Sequence, residues 1–459
     1  MVFIVENKIK SLAQTLQDLP DNANESIVDK NFINLSFFES LGYSQQERIP
    51  SFKTSTGNKA VDYALRKNTA DDNFLHTQVN PFILVELKGR DINLEYGSAS
   101  YRNTVKQIKG DLLGIKCKSV QWGIITNSKH IQLFRKHGKT IFPATTCLEI
   151  NPDNIEQITS EIRNKIEKTD RALTVAVYNN KGGVGKTTTV INLAATLTRH
   201  KKKVLVVDFD PNQMDLTDSL DAKVGELALG DCLKNKKELN NLRQTIYSYI
   251  TRFKGGISLS FDVIPVDECL AQTNEDNIRK QISPHTLKSK LELLKSEYDY
   301  ILIDAPPNWR FYSVSAVNSA DVVLIPTQHN NIRSLKNAAV TIRQHIAEIQ
   351  QNRQQKSQGL EWGAIALPIF FNGGKVTPST RINAHKAIAE IIKATKSKYK
   401  FDLLPYFFPH FKPGNNTRIF ELPNSAWIAN SSFDKVPAAY RYKIAYDYYS
   451  QLAKEYFIQ

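Results

Sequence analysis

Five apolar runs that follow residue 171 constrain the fold of the chain more than any other feature. They read "ALTVAVY", "KVLVVDFD", "YDYILIDAPP", "DVVLIPTQ" and "WGAIALPIFF", and longer sequences with helical spacing lie between them. Strands that are apolar on both faces and are separated by helices are typical of a parallel sheet covered on both sides. We therefore predict an α/β fold with a doubly wound, mostly parallel sheet over residues 171–459.

A glycine-rich loop, "GGVGKTT", follows the first of these runs and opens into a helical pattern. Glycines allow the backbone to turn tightly around phosphate groups, and the N–H groups of the loop and of the helix start then face the anion. In such a loop, Lys186 lies against the β- and γ-phosphates and the Thr187 hydroxyl holds Mg²⁺. The predicted nucleotide site consists of Gly182, Gly183, Val184, Gly185, Lys186, Thr187 and Thr188.

Three acidic residues come at the ends of two other apolar runs. Asp208 and Asp210 end "VLVVDFD", and Asp304 ends "YILID". Asp208 and Asp210 share a strand face because alternate residues point the same way. In open α/β sheets the ligand lies beyond the carboxyl ends of the strands, so we expect these acids near the metal ion and the phosphates.

The segments "KGGVGKTT", "VLVVDFDP", "LIDAPP" and "ADVVLIPTQ" resemble the ParA/MinD family of ATPases, which have a deviant Walker A loop. The resemblance covers roughly residues 172–459 and implies ATP and Mg²⁺ as cofactors. It also implies a homodimer with ATP sandwiched between two subunits. In that family the early lysine, which matches Lys181, reaches the nucleotide phosphates of the partner.

The same resemblance implies a role for each acid. Asp208 and Asp304 would hold the water ligands of the magnesium ion, beside Thr187, and Asp210 would position the attacking water. Asn372, after a late strand, is expected to contact adenine. The segment "DPNQMDLTD" departs from the usual continuation of the family motif, so we expect the hydrolysis rate or the choice of partner to differ.

Residues 1–150 have a different pattern, of mixed α and β type, and residues 151–170 predict a helix that connects two domains. "KAVDYAL" places Asp62 in a strand, and "PFILVELKGRD" places Glu86 and Lys88 at alternate positions of another strand, hence on one face. Two carboxylates can hold Mg²⁺ beside a scissile phosphate, where the metal activates water. The lysine could orient that water or offset the added negative charge.

This region resembles the N-terminal nuclease domain of type I restriction R subunits, a PD-(D/E)xK fold. The resemblance implies a restriction-endonuclease-like α/β domain over residues 1–150, with Asp62 and Glu86 as metal ligands, Lys88 as a catalytic residue and Gln107 as a supporting one. Two motif positions depart from the family, since Asp111 replaces a tyrosine and Val61 a proline. An acid of the first helix, Glu25 or Glu39, would assist the site or remain a solvated helix charge.

The basic charge of the chain, +14 at pH 7, is concentrated towards its C-terminal end. Residues 375–459 hold 13 Lys and Arg against 6 Asp and Glu, and "KAIAEIIKATKSKYK" (Lys386–Lys400) is the densest part. Such a surplus fits DNA as partner, with salt-sensitive and sequence-independent affinity, and it equally fits a solvated surface.

The leading hypothesis from the sequence is an ATP-controlled, Mg²⁺-dependent DNA endonuclease in which ATP-driven dimerisation regulates the nuclease domain, in prokaryotic defence. The alternative is a ParA-type DNA segregation or positioning ATPase whose N-terminal domain only binds DNA or a partner protein, such as one encoded nearby. We expect a cytoplasmic protein that does not enter a membrane, because no apolar run is long enough to span one and the 4 cysteines form no CxxC pair.

Overall fold

The chain folds into two compact units. The computed structural model describes residues 10–55, 60–235, 239–373, 376–411, 417–423, 425, 427–428, 431 and 433–459. Unit 1 comprises the chain up to Thr169 together with Arg353–Trp362 and Gln459, and unit 2 comprises Asp170–Asn352 and Gly363–Ile458. The segment Arg353–Trp362 thus belongs to unit 1, although it lies in sequence within the region predicted as the ATPase domain.

Unit 1 is built on a seven-stranded mixed sheet. Its strands are β1 Arg48–Lys53, β2 Ala60–Leu65, β3 Ile83–Leu87, β4 Trp122–Thr126, β5 His130–His137, β6 Thr140–Pro143 and β7 Leu148–Glu149. They follow the order β1-β2-β3-β4-β5-β6, and β7 also pairs with β5. Only β3 and β4 run parallel to each other, and the other described pairs are antiparallel.

The helices of unit 1 cover both faces of this sheet. They are Leu12–Gln17, Glu25–Val28, Phe38–Ser40, Phe74–Thr77, Ala99–Leu112 and Ile155–Glu167, with a π-helix at Asp29–Phe37 and 3₁₀ turns at Gln45–Glu47 and Ile115–Cys117. The segment predicted to connect two domains forms Ile155–Glu167, and its buried Ile155, Ile162 and Ile166 pack into the apolar core of unit 1. Glu86, Ile108 and Leu112 lie on the other side of the sheet, where Ala99–Leu112 packs against β3 and β4.

Unit 2 has a second seven-stranded sheet, and its predicted, mostly parallel character is confirmed. Its strands are β8 Leu173–Val177, β9 Val204–Asp208, β10 Tyr247–Arg252, β11 Ser258–Ile264, β12 Tyr300–Asp304, β13 Val322–Leu324 and β15 Ile365–Ala366. They follow the order β10-β11-β9-β12-β8-β13-β15. Only β10 and β11 are antiparallel among the described pairs of this sheet.

A small parallel sheet and a set of helices complete unit 2. The small sheet has the order β14 Pro326–Thr327, β16 Phe370–Asn372 and β17 Phe420–Leu422. The helices are Lys186–Arg199, Asp215–Leu220, Leu229–Lys234, Glu268–Gln272, Glu275–Gln281, Thr286–Glu292, Phe311–Ser319, Ile332–Val340, Pro378–Tyr399, Leu404–Phe407, Ala438–Arg441 and Lys443–Tyr456, with a π-helix at Thr341–His345 and a 3₁₀ helix at Leu239–Thr245. Ile346–Lys356 begins in unit 2 and ends in unit 1.

The three central strands of unit 2 end side by side. Asp304, the last residue of β12, is paired in register with Asp208 of β9 on one side and with Val177 of β8 on the other. The glycine-rich loop follows β8 directly, so the parallel arrangement brings the loop and both acids to one edge of the sheet. In the described part of the chain, no helix combines the length and the apolar character needed to cross a membrane.

Candidate functional site

The glycine-rich loop of unit 2 joins a buried strand to a buried helix. Every residue of β8 is buried, and the helix Lys186–Arg199 has Gly185 as its N-cap, whose φ of +80° is a left-handed conformation that favours glycine. Gly183 also has a positive φ, of +73°. A Cβ atom on Gly182 or on Gly183 would meet no other atom within 4 Å, so the loop faces open space at both positions.

The backbone donors of this loop have no partner among the residues that the structure describes. The N–H groups of residues 182–185 donate no hydrogen bond to another described residue. Their helix, Lys186–Arg199, is 14 residues long, and the positive end of its dipole lies at the loop. Free N–H groups beside a helix start form the arrangement that binds phosphate in P-loop proteins.

Amide side chains from distant segments hold the carbonyl groups of the loop. Asn372 Nδ2 donates to Val184 O at 2.9 Å and also lies 3.3 Å from Gly185 O, and Gln328 Nε2 donates to Gly183 O at 2.9 Å. Asn337 donates to the carbonyl of Asn180. With the carbonyls held in this way, the loop backbone keeps its N–H groups towards the open side.

Asn372 therefore acts on the loop in this structure, whereas its predicted contact with adenine stays a prediction. Sequence analysis missed Gln328 and Asn337 as parts of the site. Gln328 ends the quoted run "DVVLIPTQ", so its place at the end of a strand was a usable signal. Nothing in the local sequence marks Asn337, which lies inside the helix Ile332–Val340.

Two buried carboxylates lie side by side next to the loop. Asp208 Oδ2 accepts hydrogen bonds from the backbone N–H of Thr217 at 2.9 Å and from its hydroxyl at 2.7 Å. Asp304 accepts a hydrogen bond from the Thr187 side chain, while its Oδ1 atom is buried without a partner among the described residues. Burial, and secondly the Asp208 carboxylate, raise the pKa of Asp304, and burial also raises the pKa of Asp208.

Lys186 is buried among these acids. Burial lowers the pKa of its ammonium group, and the carboxylates of Asp304 and Asp210 oppose that effect. Asp210 accepts a hydrogen bond from the backbone N–H of Asn212 at 3.2 Å, and burial raises its pKa. Lys181 is half-buried and forms no hydrogen bond or ion pair with another described residue.

Three predicted residues of unit 1 lie around a fourth, Glu86, which is 1% exposed. Lys88 Nζ donates to Glu86 Oε1 at 2.6 Å, and the Gln107 amide donates to the same oxygen. Asp62 Oδ2 accepts a hydrogen bond from the backbone N–H of Leu87 at 2.6 Å, which places it beside Glu86. Residues of β2, β3 and Ala99–Leu112 thus form one cluster.

Only one of the two carboxyl oxygens of the buried Glu86, Oε1, accepts hydrogen bonds from described residues. Its Oε2 atom has no hydrogen-bond partner among the described residues. Burial, and secondly the Asp62 carboxylate, raise its pKa to about 7, while burial raises the pKa of Asp62. An unpartnered carboxylate oxygen next to a second carboxylate fits a cation.

The structure separates the two acids of the first helical segment. Glu25 Oε2 lies 3.7 Å from Lys88 Nζ, so Glu25 belongs to the cluster. Glu39 lies instead 3.5 Å from Arg48. Asp111, in place of the usual tyrosine, is buried, and its Oδ1 accepts a hydrogen bond from the Thr54 hydroxyl at 2.9 Å.

Both candidate metal sites rest on pairs of carboxylates. The described ranges contain no group of three or more His, Cys, Asp or Glu side chains arranged to hold a metal ion. Mg²⁺ keeps several waters and is usually held by one or two carboxylates together with phosphate oxygens. The residues present therefore fit Mg²⁺ at Thr187, Asp208 and Asp304 and at Asp62 and Glu86.

The predicted basic segment lies on an exposed helix of unit 2. Lysines of Pro378–Tyr399 and of the residue after it are exposed, namely Lys386, Lys393, Lys396, Lys398 and Lys400. None of them forms a salt bridge with a described carboxylate. These ammonium groups are therefore available to an anionic partner.

Comparison with known proteins finds a family model that covers the region around the loop. Residues 172–359 match a family model described as an AAA domain. An uncharacterized protein of Pseudomonas putida is 32% identical over 193 residues, which are 40% of this chain and 67% of that protein. The sporulation initiation inhibitor protein Soj of Bacillus subtilis is 34% identical over 156 residues, 34% of this chain and 57% of Soj.

A third relative and a solved structure are also similar to this chain. The chromosome partitioning protein ParA of Myxococcus xanthus is 33% identical over 157 residues, 34% of this chain and 51% of that protein. The chain therefore spans about half the length of the named curated relatives it matches. The structure of an ATP complex of a Cyanothece McdA variant covers 62% of this chain and 96% of its own, at 21% identity and a TM-score of 0.45.

Replacement of Gly182 by alanine tests whether phosphates occupy the open side of the loop. A Cβ atom there meets nothing within 4 Å, so we expect Gly182→Ala to keep the thermal stability of the wild type. If phosphate fills that space, the dissociation constant for a fluorescent ATP analogue rises at least about tenfold. Gly110→Ala is the matched control, since its Cβ also meets nothing within 4 Å. Equal affinity in both variants would refute the placement.

If Mg²⁺ binds at Glu86, the pKa of about 7 of this carboxyl makes that binding dependent on pH. Folding favours the protonated carboxyl, so this contribution to stability is present below the ordinary pKa of 4.5 and is lost as the pH rises through about 7. Mg²⁺ must displace that proton, so its affinity should rise about tenfold per pH unit up to this value and then level off.

Calorimetric titration of Mg²⁺ without nucleotide, in buffers of different ionisation enthalpy, measures both the affinity and the released proton. Glu86→Gln should remove the pH-dependent binding. Glu39→Gln, which changes an acid outside the cluster, should retain it. Binding with the same pH profile in the Glu86→Gln variant would contradict the assignment.

Proposed function

Because the chain carries a P-loop ATPase domain of the ParA/MinD type, we propose that it is an ATP-hydrolysing switch that dimerises around ATP and acts on DNA, in segregation or positioning. One observation carries this proposal. The loop keeps the N–H groups of residues 182–185 without partners among the described residues, beside the buried Lys186 and the unpartnered Oδ1 of Asp304. A triphosphate with its metal ion supplies the missing partners of all three.

Each residue of the site then has a role. The loop N–H groups and Lys186 hold the β- and γ-phosphates. Thr187, Asp208 and Asp304 would hold Mg²⁺, which when bound neutralises phosphate charge. Asp210 lies close to Lys186 and positions the attacking water. Lys181, with no ion pair among the described residues, is free to reach the nucleotide of a second copy.

DNA binding is proposed for the exposed lysines of the helix Pro378–Tyr399. Phosphate contacts by Lys and Arg release counterions, so the affinity falls steeply with salt and does not depend on sequence. Soj and ParA, two relatives of this chain, carry the names of a sporulation initiation inhibitor and a chromosome partitioning protein. Those names support a role on DNA better than they support defence.

Lys181→Ala and Lys186→Ala should separate dimerisation from nucleotide binding. We expect Lys186→Ala to lose ATP binding, because the buried ammonium group contacts the phosphates. Lys181→Ala should bind ATP as a monomer but lose dimerisation, hydrolysis and ATP-dependent DNA binding. Light scattering with a slowly hydrolysed ATP analogue and Mg²⁺ reports the mass, and a DNA titration at several salt concentrations reports binding.

Lys280→Ala is the control for the loss of a lysine, since Lys280 is exposed on another helix, Glu275–Gln281. It should behave as the wild type in both measurements. If Lys181→Ala dimerises with ATP as fully as the wild type, the sandwich dimer is refuted.

A second function is favoured by the cluster of unit 1. Asp62, Glu86, Lys88 and Gln107 lie in one place, and the Oε2 atom of the buried Glu86 has no partner among the described residues. This arrangement suits Mg²⁺-dependent cleavage of a DNA backbone: the carboxylates hold the ion, and Lys88 carries positive charge towards the phosphate. Under this hypothesis the ATPase regulates an endonuclease, in a setting of prokaryotic defence.

Plasmid cleavage distinguishes a nuclease from a DNA-binding unit. With Mg²⁺ and ATP, we expect nicking or linearisation by the wild type and by Glu39→Ala, and a loss of at least about 100-fold in Glu86→Ala and Lys88→Ala, because metal binding and charge stabilisation each contribute several kcal/mol. If no variant cuts while DNA binding persists in Glu86→Ala, the nuclease function of unit 1 is refuted.

A further inference from the structure

We propose that the helical segment from Ile332 to Lys356 transmits the nucleotide state of the glycine-rich loop to unit 1. This inference rests on the proposed ATPase function and names the route of its regulation. The segment consists of Ile332–Val340, a π-helix at Thr341–His345 and Ile346–Lys356, without a break between them. It starts in unit 2, and its last residues belong to unit 1.

The N-terminal end of the segment is hydrogen-bonded to the residues that lead into the glycine-rich loop. Asn337 donates to the carbonyl of Asn180, and Ser334 O accepts a hydrogen bond from Asn179 Nδ2 at 3.2 Å. The Ser334 hydroxyl accepts one from the backbone N–H of Gln328 at 3.0 Å, and the Gln328 side chain holds Gly183. A change in the loop backbone therefore acts directly on this end of the helix.

The middle of the segment is a π-helix, a rare wide turn that often lies at functional sites. His345, its last residue, stacks on Trp309 with ring centroids 4.1 Å apart and planes 2° apart. Trp309 follows Asp304 by five residues, and both rings contact Tyr178, which follows β8. This turn thus contacts the chain just beyond the two central strands that carry the site.

The far end of the segment is anchored within unit 1. Gly359 O accepts hydrogen bonds from the backbone N–H of Thr146 at 3.0 Å and from its hydroxyl at 2.9 Å. Trp362 donates its backbone N–H to Ala144 O at 3.2 Å. Because Gly359 has a φ of +83° and a Cβ there would lie 2.8 Å from the Thr146 hydroxyl, only glycine fits.

Contacts continue from this anchor to the acidic cluster. The Trp362 ring packs on Tyr96 at 5.3 Å, and Tyr96 packs on Tyr101 at 5.3 Å. Tyr101 lies on the helix Ala99–Leu112, which also carries Gln107, the amide that donates to Glu86. A shift of the anchor can therefore alter the position of Gln107 against the buried carboxyl.

Hydrogen exchange with and without Mg²⁺ and a slowly hydrolysed ATP analogue tests the route in the full chain. In the wild type we expect slower exchange both in residues 182–189 and in residues 99–112. In Gly359→Val, which breaks the anchor, the first change should remain and the second should be lost. Thr146→Val, which removes only the hydroxyl bond, should reduce the second change.

Gly256→Val is the matched control, because Gly256 also has a positive φ, of +79°, and its Cβ would meet nothing within 4 Å. It should show both changes. The route is overturned if residues 99–112 respond equally in Gly359→Val, or if the wild type responds only at residues 182–189. If the wild type shows no response at residues 182–189, the proposed ATPase function is refuted, and the route is refuted with it.

Discussion

The site of unit 2 depends on the burial of charge at the ends of parallel strands. Asp208 and Asp304 are paired in register, and Lys186 is buried beside them at the start of the following helix. Burial of ionised groups is unfavourable unless partners compensate for the lost water. The raised pKa values of both acids and the lowered pKa of the lysine express that penalty. The fold keeps this arrangement because the charged groups are attached to three central strands, β8, β9 and β12, that are buried throughout their length.

Much of this arrangement could be predicted from local sequence. The strand predicted around Asp62 is β2, Ala60–Leu65, and the acids at the ends of "VLVVDFD" and "YILID" lie at one sheet edge as expected. Such predictions succeed because strand alternation, glycine loops and helix starts are encoded within a few residues.

Long-range contacts were not predictable from the sequence. The amides that hold the loop come from segments 145 to 188 residues away. Arg353–Trp362 joins unit 1 through hydrogen bonds to Thr146 and Ala144, far away in sequence. The choice between Glu25 and Glu39 also required the structure, since both lie in the first helical segment and only Glu25 reaches Lys88.

Different kinds of observation support the functions proposed for the two units. The ATPase domain is supported both by its residues and by relatives with known names, whereas the restriction-endonuclease-like fold of residues 1–150 stays a prediction. The support for it is chemical. Asp62, Lys88 and Gln107 lie at separate positions in the sequence, yet all three lie beside the buried carboxyl of Glu86. Convergence of this kind around a half-satisfied acid is uncommon without a function, because unpartnered buried oxygens cost stability.

The amides that hold the glycine-rich loop have a consequence of their own. Asn372, Gln328 and Asn337 carry no net charge, so they hold the loop backbone without changing the net charge of the site. That net charge is then set by the lysines and the acids. The rigidity of the loop and the charge that attracts an anion can therefore evolve independently. Substitutions of the amide side chains change how fast the loop moves, and substitutions of the lysines and acids change how tightly the site holds an anion.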